Sequence, residues 1–252
     1  MSSRCAVALV AMVFCLANHV HAQSADDRAA AREMVAKHGG AVLFVLGTTK
    51  LRINQGGKEV QNPDQRIQAT VTVLDSAGLG VMSLTALDPS ELASAQLSRG
   101  RGAGGAVTVT AETSDLRYRL SDGREVPVRV VLRDKELDLA FLRPVEKPAA
   151  PMTAIEVATV KPAAIDPVVI LQRLPEVFGW QPTALFQSVQ AIVEKPRTFY
   201  ILTGGVIGAP VFDTRGRFIG IGLRLKNESD PANAPFIVLP ANDIREVAKQ
   251  AN

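Results

Sequence analysis

Short runs of hydrophobic residues, broken by Gly, Pro, Asn and Asp at close intervals, follow one another along most of the chain. Runs rich in Val, Ile, Leu and Thr with this spacing are typical of a β-sandwich or β-barrel. The pattern predicts a first set of strands at 41–47, 51–55, 66–74, 79–84, 105–111, 115–121, 125–132 and 138–143. It predicts a second set at 154–159, 167–173, 186–194, 198–203, 209–213, 217–225 and 235–239.

A connector divides the two strand sets near the middle of the chain. Residues 144–151 contain three prolines, which is typical of a linker. We expect an all-β fold of two six-stranded antiparallel β-barrels with a cleft between them, although strand count alone leaves the pairing open. The dipeptide Asp122-Gly123 predicts a hairpin turn, and the glycine-rich segment 98–105 predicts a surface loop rather than a ligand clamp.

Short helices are predicted at both ends of the barrel pair. Ser24 and Asp27 resemble a capping box, and helical spacing then continues to the Gly39-Gly40 stop. A second helix is predicted near 242–250. The predicted division is therefore an N-terminal helix at 23–40, a first barrel at 41–146, and a second barrel with its helix at 152–252.

The first 22 residues have the order of a secretory signal peptide. Arg4 precedes an apolar run from Cys5 to Leu16, and a small-residue site ends at Ala22. The run is too short to span a bilayer, so we expect cleavage after Ala22, a secreted or periplasmic protein, and no membrane span. Both cysteines leave with this segment, so the mature chain is expected to have neither a disulfide nor a cysteine nucleophile.

Composition argues against several other functions. The net charge is only +3 and no basic run stands out, so nucleic acid is not expected as a partner. No His-x-x-x-His, Asp-x-Asp-Gly or Gly-x-x-x-x-Gly-Lys motif is present, so we expect no metal and no cofactor.

Three segments, in order, resemble one protein family. Ala69 to Asp88 reads ATVTVLDSAGLGVMSLTALD, Tyr118 to Arg143 reads YRLSDGREVPVRVVLRDKELDLAFLR, and Gly205 to Gly222 reads GVIGAPVFDTRGRFIGIG. These resemble the HtrA/Deg branch of the trypsin-like serine proteases, and the resemblance covers about residues 41–250. It implies a trypsin-like double barrel. It also places the general base of the family at Ala86, the triad aspartate at Asp138 and the nucleophile at Ile207.

Two of these three positions lack the side chain that the chemistry needs. A serine protease requires a hydroxyl nucleophile, an imidazole base and an orienting carboxylate. Ile207 has no heteroatom and Ala86 cannot exchange a proton. Past the predicted cleavage site the only histidine is His38, which we expect to be solvated at the end of the first helix, outside the cleft. The sequence therefore predicts a pseudoprotease with no peptidase turnover.

Two other interpretations remain open. An endopeptidase could use atypical residues, and the candidate replacements are Ser83, Thr85, Ser188, Thr203 and Lys195. None of them is paired with a base at a recognisable spacing, so we interpret them as strand-surface hydroxyls and an exposed lysine. The other interpretation is a structural envelope protein whose cleft is filled.

An unpaired Asp138 would be costly if it were buried. We therefore expect backbone N–H groups or the hydroxyls of Ser83 and Thr85 to satisfy it, the alternative being a carboxylate in the open cleft.

An extended peptide or partner protein is the expected ligand of the inter-barrel cleft, because such chains can add as a strand to a sheet edge. The resemblance implies an edge from Leu223 to Leu225, a contribution from Gly205, and Ile201 at the base of an apolar pocket. The alternative for Ile201 is an ordinary core residue.

Overall fold

The computed structural model of the chain describes residues 25–55, 58–61, 64–99, 107–158, 160–225 and 234–251. The predicted leader at 1–22 and most of the predicted loop at 98–105 lie outside these residues. Within the described ranges, no helix is long and apolar enough to cross a bilayer. The leader, its cleavage and the domain boundaries 41–146 and 152–252 stay predictions.

The first sheet closes into a barrel. Its order is β2-β1-β3-β4-β7-β6-β5, and β1 also pairs with β5, so six strands form a closed ring and β2 extends it. The strands are β1 (Val42–Gln55), β2 (Lys58–Gln61), β3 (Gln65–Val73), β4 (Gly80–Ser83), β5 (Val107–Arg119), β6 (Glu125–Asp134) and β7 (Leu139–Pro144).

Two pairs of predicted strands are in fact single long strands. The predictions 41–47 and 51–55 merge into β1, and 105–111 and 115–121 merge into β5. The register of β1 against β5 shifts between Leu46 and Thr48. A bulge of this kind bends a strand without ending it, so the polar residues that looked like a turn remain within the ladder.

The second sheet is antiparallel and curled. Its order is β10-β11-β14-β13-β12-β8-β9, which leaves β10 and β9 as its edges among the described residues. The strands are β8 (Pro167–Arg173), β9 (Pro182–Ser188), β10 (Ala191–Val193), β11 (Phe199–Ile201), β12 (Pro210–Asp213), β13 (Phe218–Arg224) and β14 (Phe236–Pro240). The predicted fold class is confirmed as mostly β, with one closed six-stranded barrel and a curled half-barrel.

The predicted strand at 154–159 was wrong for the residues described there. Ile155 donates a backbone hydrogen bond to the carbonyl of Val73, but the segment joins no ladder. The predicted strand at 186–194 divides into β9 and β10 because the chain changes partner. Val189 bonds Asp166 and Gln190 bonds Ile201.

In the described part of the chain, four α-helices accompany the sheets: α1 (Ala25–His38), α2 (Leu84–Leu87), α3 (Ser90–Arg99) and α4 (Ala241–Ala248). Single 3-10 turns lie at Gly39–Ala41 and Glu176–Phe178. Helices α1 and α4 were predicted from the sequence, whereas α2 and α3 were not.

One continuous hydrophobic core joins the two halves. It includes Val81 and Phe141 of the barrel, Phe212 and Ile221 of the second sheet, and Ile244 of α4. Burial of apolar surface on this scale is the main favourable contribution to folding. Because the core is shared, the two sheets are held in a fixed relative position, and so is the space between them.

Candidate functional site

Asp138 lies immediately before β7, with both carboxylate oxygens bonded. It is only 7% exposed. Its Oδ2 accepts a hydrogen bond from the hydroxyl of Ser83 at 2.6 Å, and its Oδ1 accepts one from the backbone N–H of Thr85 at 2.7 Å. The expectation that a backbone N–H group and the hydroxyl of Ser83 satisfy a buried Asp138 is confirmed.

The chain around Ser83 explains how these donors come together. Strand β4 ends at Ser83, and the single-turn helix α2 begins immediately after it. The Oγ of Ser83 also accepts the N–H of Ala86 at 3.2 Å, so the same hydroxyl caps the helix. The turn of helix that follows leaves Ala86 exposed to solvent, beside the bonded carboxylate.

Burial dominates the electrostatics of this carboxylate. It raises the pKa of Asp138 above the ordinary aspartate value, and the hydrogen bonds from Ser83 and Thr85 oppose that rise. The negative charge of Glu91 also raises the pKa. A carboxyl group with a raised pKa holds its proton to higher pH than an exposed aspartate does.

A cavity of about 120 Å³ opens beside Asp138. Residues from both halves of the molecule line it, since Thr85 and Lys135 come from the barrel and Arg224 from β13. Helix α3 supplies Glu91, which lies 3.7 Å from the ammonium group of Lys135. The full lining is Leu84, Thr85, Asp88, Ser90, Glu91, Leu92, Lys135, Asp138, Arg224 and Ala234. The cavity therefore lies in the cleft between the halves.

Ile207 lies in a tight turn from Val206 to Ala209. The N–H of Ala209 donates to the carbonyl of Val206 at 3.2 Å, and Gly208 has a φ of 82°, as the third residue of a type II turn requires. The hydroxyl of Thr72 in β3 donates to the Gly208 carbonyl at 2.9 Å. This bond fixes the turn against the first barrel. Ile207 itself is half-buried, and it is not among the described residues that line the cavity at Asp138.

The predicted binding residues occupy different environments. Leu223 is buried in the shared core, while Ile201 and Leu225 are half-buried and pack against that core. Gly205 lies under the ring of Phe236, where a Cβ atom would come within 2.6 Å of the ring. The binding roles given to these four residues stay predictions.

The open edge of β13 lies at Arg224, within the predicted edge from Leu223 to Leu225. Leu225 donates its N–H to Pro235 on the β14 side, whereas Gly222 donates its N–H to Ala209 on the opposite side. Backbone groups alternate along a strand, so the N–H and C=O of Arg224 point away from β14. Within the described residues, the pairing of β12 with β13 ends at Ile221. The Arg224 backbone thus faces the cleft.

His38 is not solvated, and that prediction was wrong. Its ring stacks on Phe212 with centroids 5.1 Å apart, and the residue is 8% exposed. Burial, together with the charge of Lys37, lowers the pKa of His38. The end of α1 packs against the second sheet, which the helical pattern alone did not reveal. His38 lines a separate cavity with Met34 and Gly216, away from Asp138.

The candidate replacement residues are not assembled into a catalytic pair. Ser83 is 1% exposed and is bonded to Asp138. The Thr203 hydroxyl accepts a hydrogen bond from Gln190 at 2.9 Å, and Ser188 and Lys195 lie exposed on the second half. Among the described residues, no group of three His, Cys, Asp or Glu side chains could hold a metal ion.

The closed barrel, the curled half-barrel and the cleft between them define the trypsin-like double-barrel fold. In agreement, residues 101–221 match the family model of the trypsin-like peptidase domain. The match covers slightly less than half of the chain, and it agrees with the fold that the two halves form.

Among solved structures, the fold is similar to the HtrA-type protease AlgW with decapeptide. The TM-score is 0.56 at 16% sequence identity, over 87% of this chain. The matched part spans 66% of the AlgW chain, slightly less than two thirds. At this identity the likeness shows the fold alone. No curated protein matches the sequence.

Proposed function

We propose that this protein is a pseudoprotease, which binds an extended peptide or a partner protein in the cleft without cleaving it. The observation that carries the proposal is the environment of Asp138. Its two oxygens accept hydrogen bonds from Ser83 and Thr85, and the neighbouring exposed residue is Ala86, which the resemblance aligns with the general base of the HtrA-type proteases.

The chemistry of acyl transfer supports this proposal. Attack on a peptide carbonyl needs a nucleophile whose proton passes to a nearby base. Ile207 offers only a hydrocarbon side chain at the position of the nucleophile. His38 stacks on Phe212 and lines a different cavity from Asp138. Ser83 is buried and already serves as both donor and acceptor, so no attacking hydroxyl is available from it.

The proposal that an extended peptide binds in the cleft rests on the edge of β13. The outward N–H and C=O of Arg224 can pair with the backbone of an extended chain, which would lie across the cavity beside Asp138. The structure of AlgW was solved with a decapeptide, and this supports an extended peptide as the ligand class. The predicted leader adds a secreted or periplasmic location to the proposal.

Two measurements on the purified protein test the proposal. Incubation with unfolded casein and with a fluorophosphonate probe should give no cleavage products and no labelling, whereas time-dependent cleavage or labelling would contradict it. A peptide array should show selective binding. If a folded protein bound no peptide and no partner, the cleft would instead have a purely structural role.

A further inference from the structure

A second cavity lies outside the cleft, where helix α1, the first barrel and the second half meet. Its volume is about 390 Å³. The end of α1 supplies Lys37, and the turn between β5 and β6 supplies Ser121. The second half supplies Arg173, Trp180 and Gln181. A ligand in this cavity would touch three separate parts of the fold.

Arg173, at the end of β8, is the buried cation of this cavity. The residue is 8% exposed. Its Nε donates to the carbonyl of Val42 at 2.8 Å, its Nη1 to that of Trp180 at 2.8 Å and its Nη2 to that of Gly39 at 2.6 Å. A guanidinium group carries five N–H donors. One N–H on each terminal nitrogen is therefore left after these three bonds.

The three carbonyls satisfy hydrogen bonds but do not neutralise the charge. Among the described residues, no carboxylate forms an ion pair with Arg173, and burial alone lowers its pKa. Buried charges in proteins are usually paired, because desolvation of an unpaired ion is costly.

The charge balance of the lining distinguishes this cavity from the others. Lys37 and Arg173 are both cationic, and the residues that line the cavity include no aspartate or glutamate. The other three cavities described in the molecule each contain an acidic side chain, namely Asp138, Asp122 and Glu33. Hydroxyl and amide donors from Ser121, Thr153 and Gln181 add further polar groups. Such a lining favours an anion.

We propose that this cavity is a binding site for a small oxyanion, meaning a carboxylate or a phosphate group. The remaining terminal N–H groups of Arg173 donate to two of its oxygens, and the ammonium group of Lys37 provides the second positive charge. Arginine binds both groups in this two-pronged manner. The site is independent of the cleft and of any activity proposed for it.

Trp180 provides a direct readout, because it lines the cavity and is the single tryptophan of the sequence. Its emission is titrated with inorganic phosphate and, separately, with acetate, each at an ionic strength held constant with chloride. A saturable change is expected with at least one of them, and the two titrations identify which anion binds. A linear or absent response to both would overturn the proposal.

Variants locate the site. Lys37→Gln should weaken binding about tenfold, the loss expected for one charge-assisted contact. Arg173→Lys, which keeps the charge but loses the fork of donors, should weaken it at least as much. Lys161→Gln, a matched change at an exposed position that lines none of the four cavities, should leave binding unchanged. If Arg173→Lys does not fold, the test depends on Lys37→Gln alone. An anion affinity of Lys37→Gln equal to that of the wild type would then overturn the proposal.

Discussion

The hydroxyl of Ser83 donates a 2.6 Å hydrogen bond to Oδ2 of Asp138 while it accepts the N–H of Ala86. One side chain thus links the end of β4, the start of α2 and the buried carboxylate before β7. In a working triad, the aspartate orients an imidazole. On the proposed alignment Asp138 takes the place of that aspartate, and here its two oxygens hold the segment from 83 to 85, which gives Asp138 a structural role.

Removal of the Ser83 hydroxyl should therefore destabilise the fold. Ser83→Ala leaves a buried carboxylate oxygen without its donor and removes the cap of α2, a combined loss of about 2–3 kcal/mol. Urea denaturation followed by circular dichroism measures it. Ser188→Ala, at an exposed hydroxyl of β9, is the matched control and should change stability by less than about 0.5 kcal/mol. Equal effects of the two changes would contradict the structural role.

The raised pKa of Asp138 predicts how stability depends on pH. Since the folded state binds the proton more tightly than the unfolded state, protonation of Asp138 favours folding. This contribution is complete below about pH 4, the ordinary aspartate pKa, and is lost as pH rises through the higher pKa of the folded state.

Asp138→Asn removes that titration. Relative to the wild type, the variant should gain stability as pH rises from about 4 toward 7. Urea midpoints of both proteins across this range test the sign. Asp166→Asn, at an exposed aspartate, is the control and should follow the wild type. A difference between wild type and Asp138→Asn that stayed constant with pH would show that the pKa is not raised.

The sequence predicted the elements whose signals are local. The segments at 138–143 and 205–222 could be recognised from the sequence, and they contain Asp138 and Ile207. The start of α3 was also readable, because Asp88 precedes Pro89 and its carboxylate accepts the N–H of Ser90 at 3.1 Å. That capping signal was overlooked, and with it Glu91 in the wall of the cavity.

Other features could not be read from the sequence because they depend on contacts between distant segments. His38 is buried because the end of α1 lies against the second sheet, where the His38 ring stacks on Phe212. β1 stays continuous because β5 pairs with it from Phe44 to Gln55, while β3 pairs with its first half and β2 with its last four residues. The resemblance implied an edge from Leu223 to Leu225, but which backbone groups face outward there follows from the register of β13 against β14, and a register is set by pairing rather than by composition.

Peptide binding at the edge of β13 predicts a contrast between two variants at one position. Arg224→Pro removes an N–H that points away from β14, so the ladder with β14 is retained while the donor to a bound peptide is lost. Arg224→Ala keeps that N–H. Using a peptide selected from an array, fluorescence anisotropy should show binding lost in the proline variant and largely kept in the alanine variant. Loss of peptide binding in both variants would show that the peptide contacts the Arg224 side chain rather than the Arg224 backbone.

A double substitution tests the proposed alignment of Ala86, Asp138 and Ile207 with a catalytic triad. Ala86→His with Ile207→Ser introduces a base next to the segment bonded to Asp138 and a nucleophile on the Val206–Ala209 turn. Removal of one triad member costs about 10⁶-fold in kcat in a comparable enzyme, so neither single variant should react. Fluorophosphonate labelling is expected in the double variant alone. If a folded double variant took no label, the backbone from Gly205 to Ile207 would lack the paired N–H donors that stabilise an oxyanion.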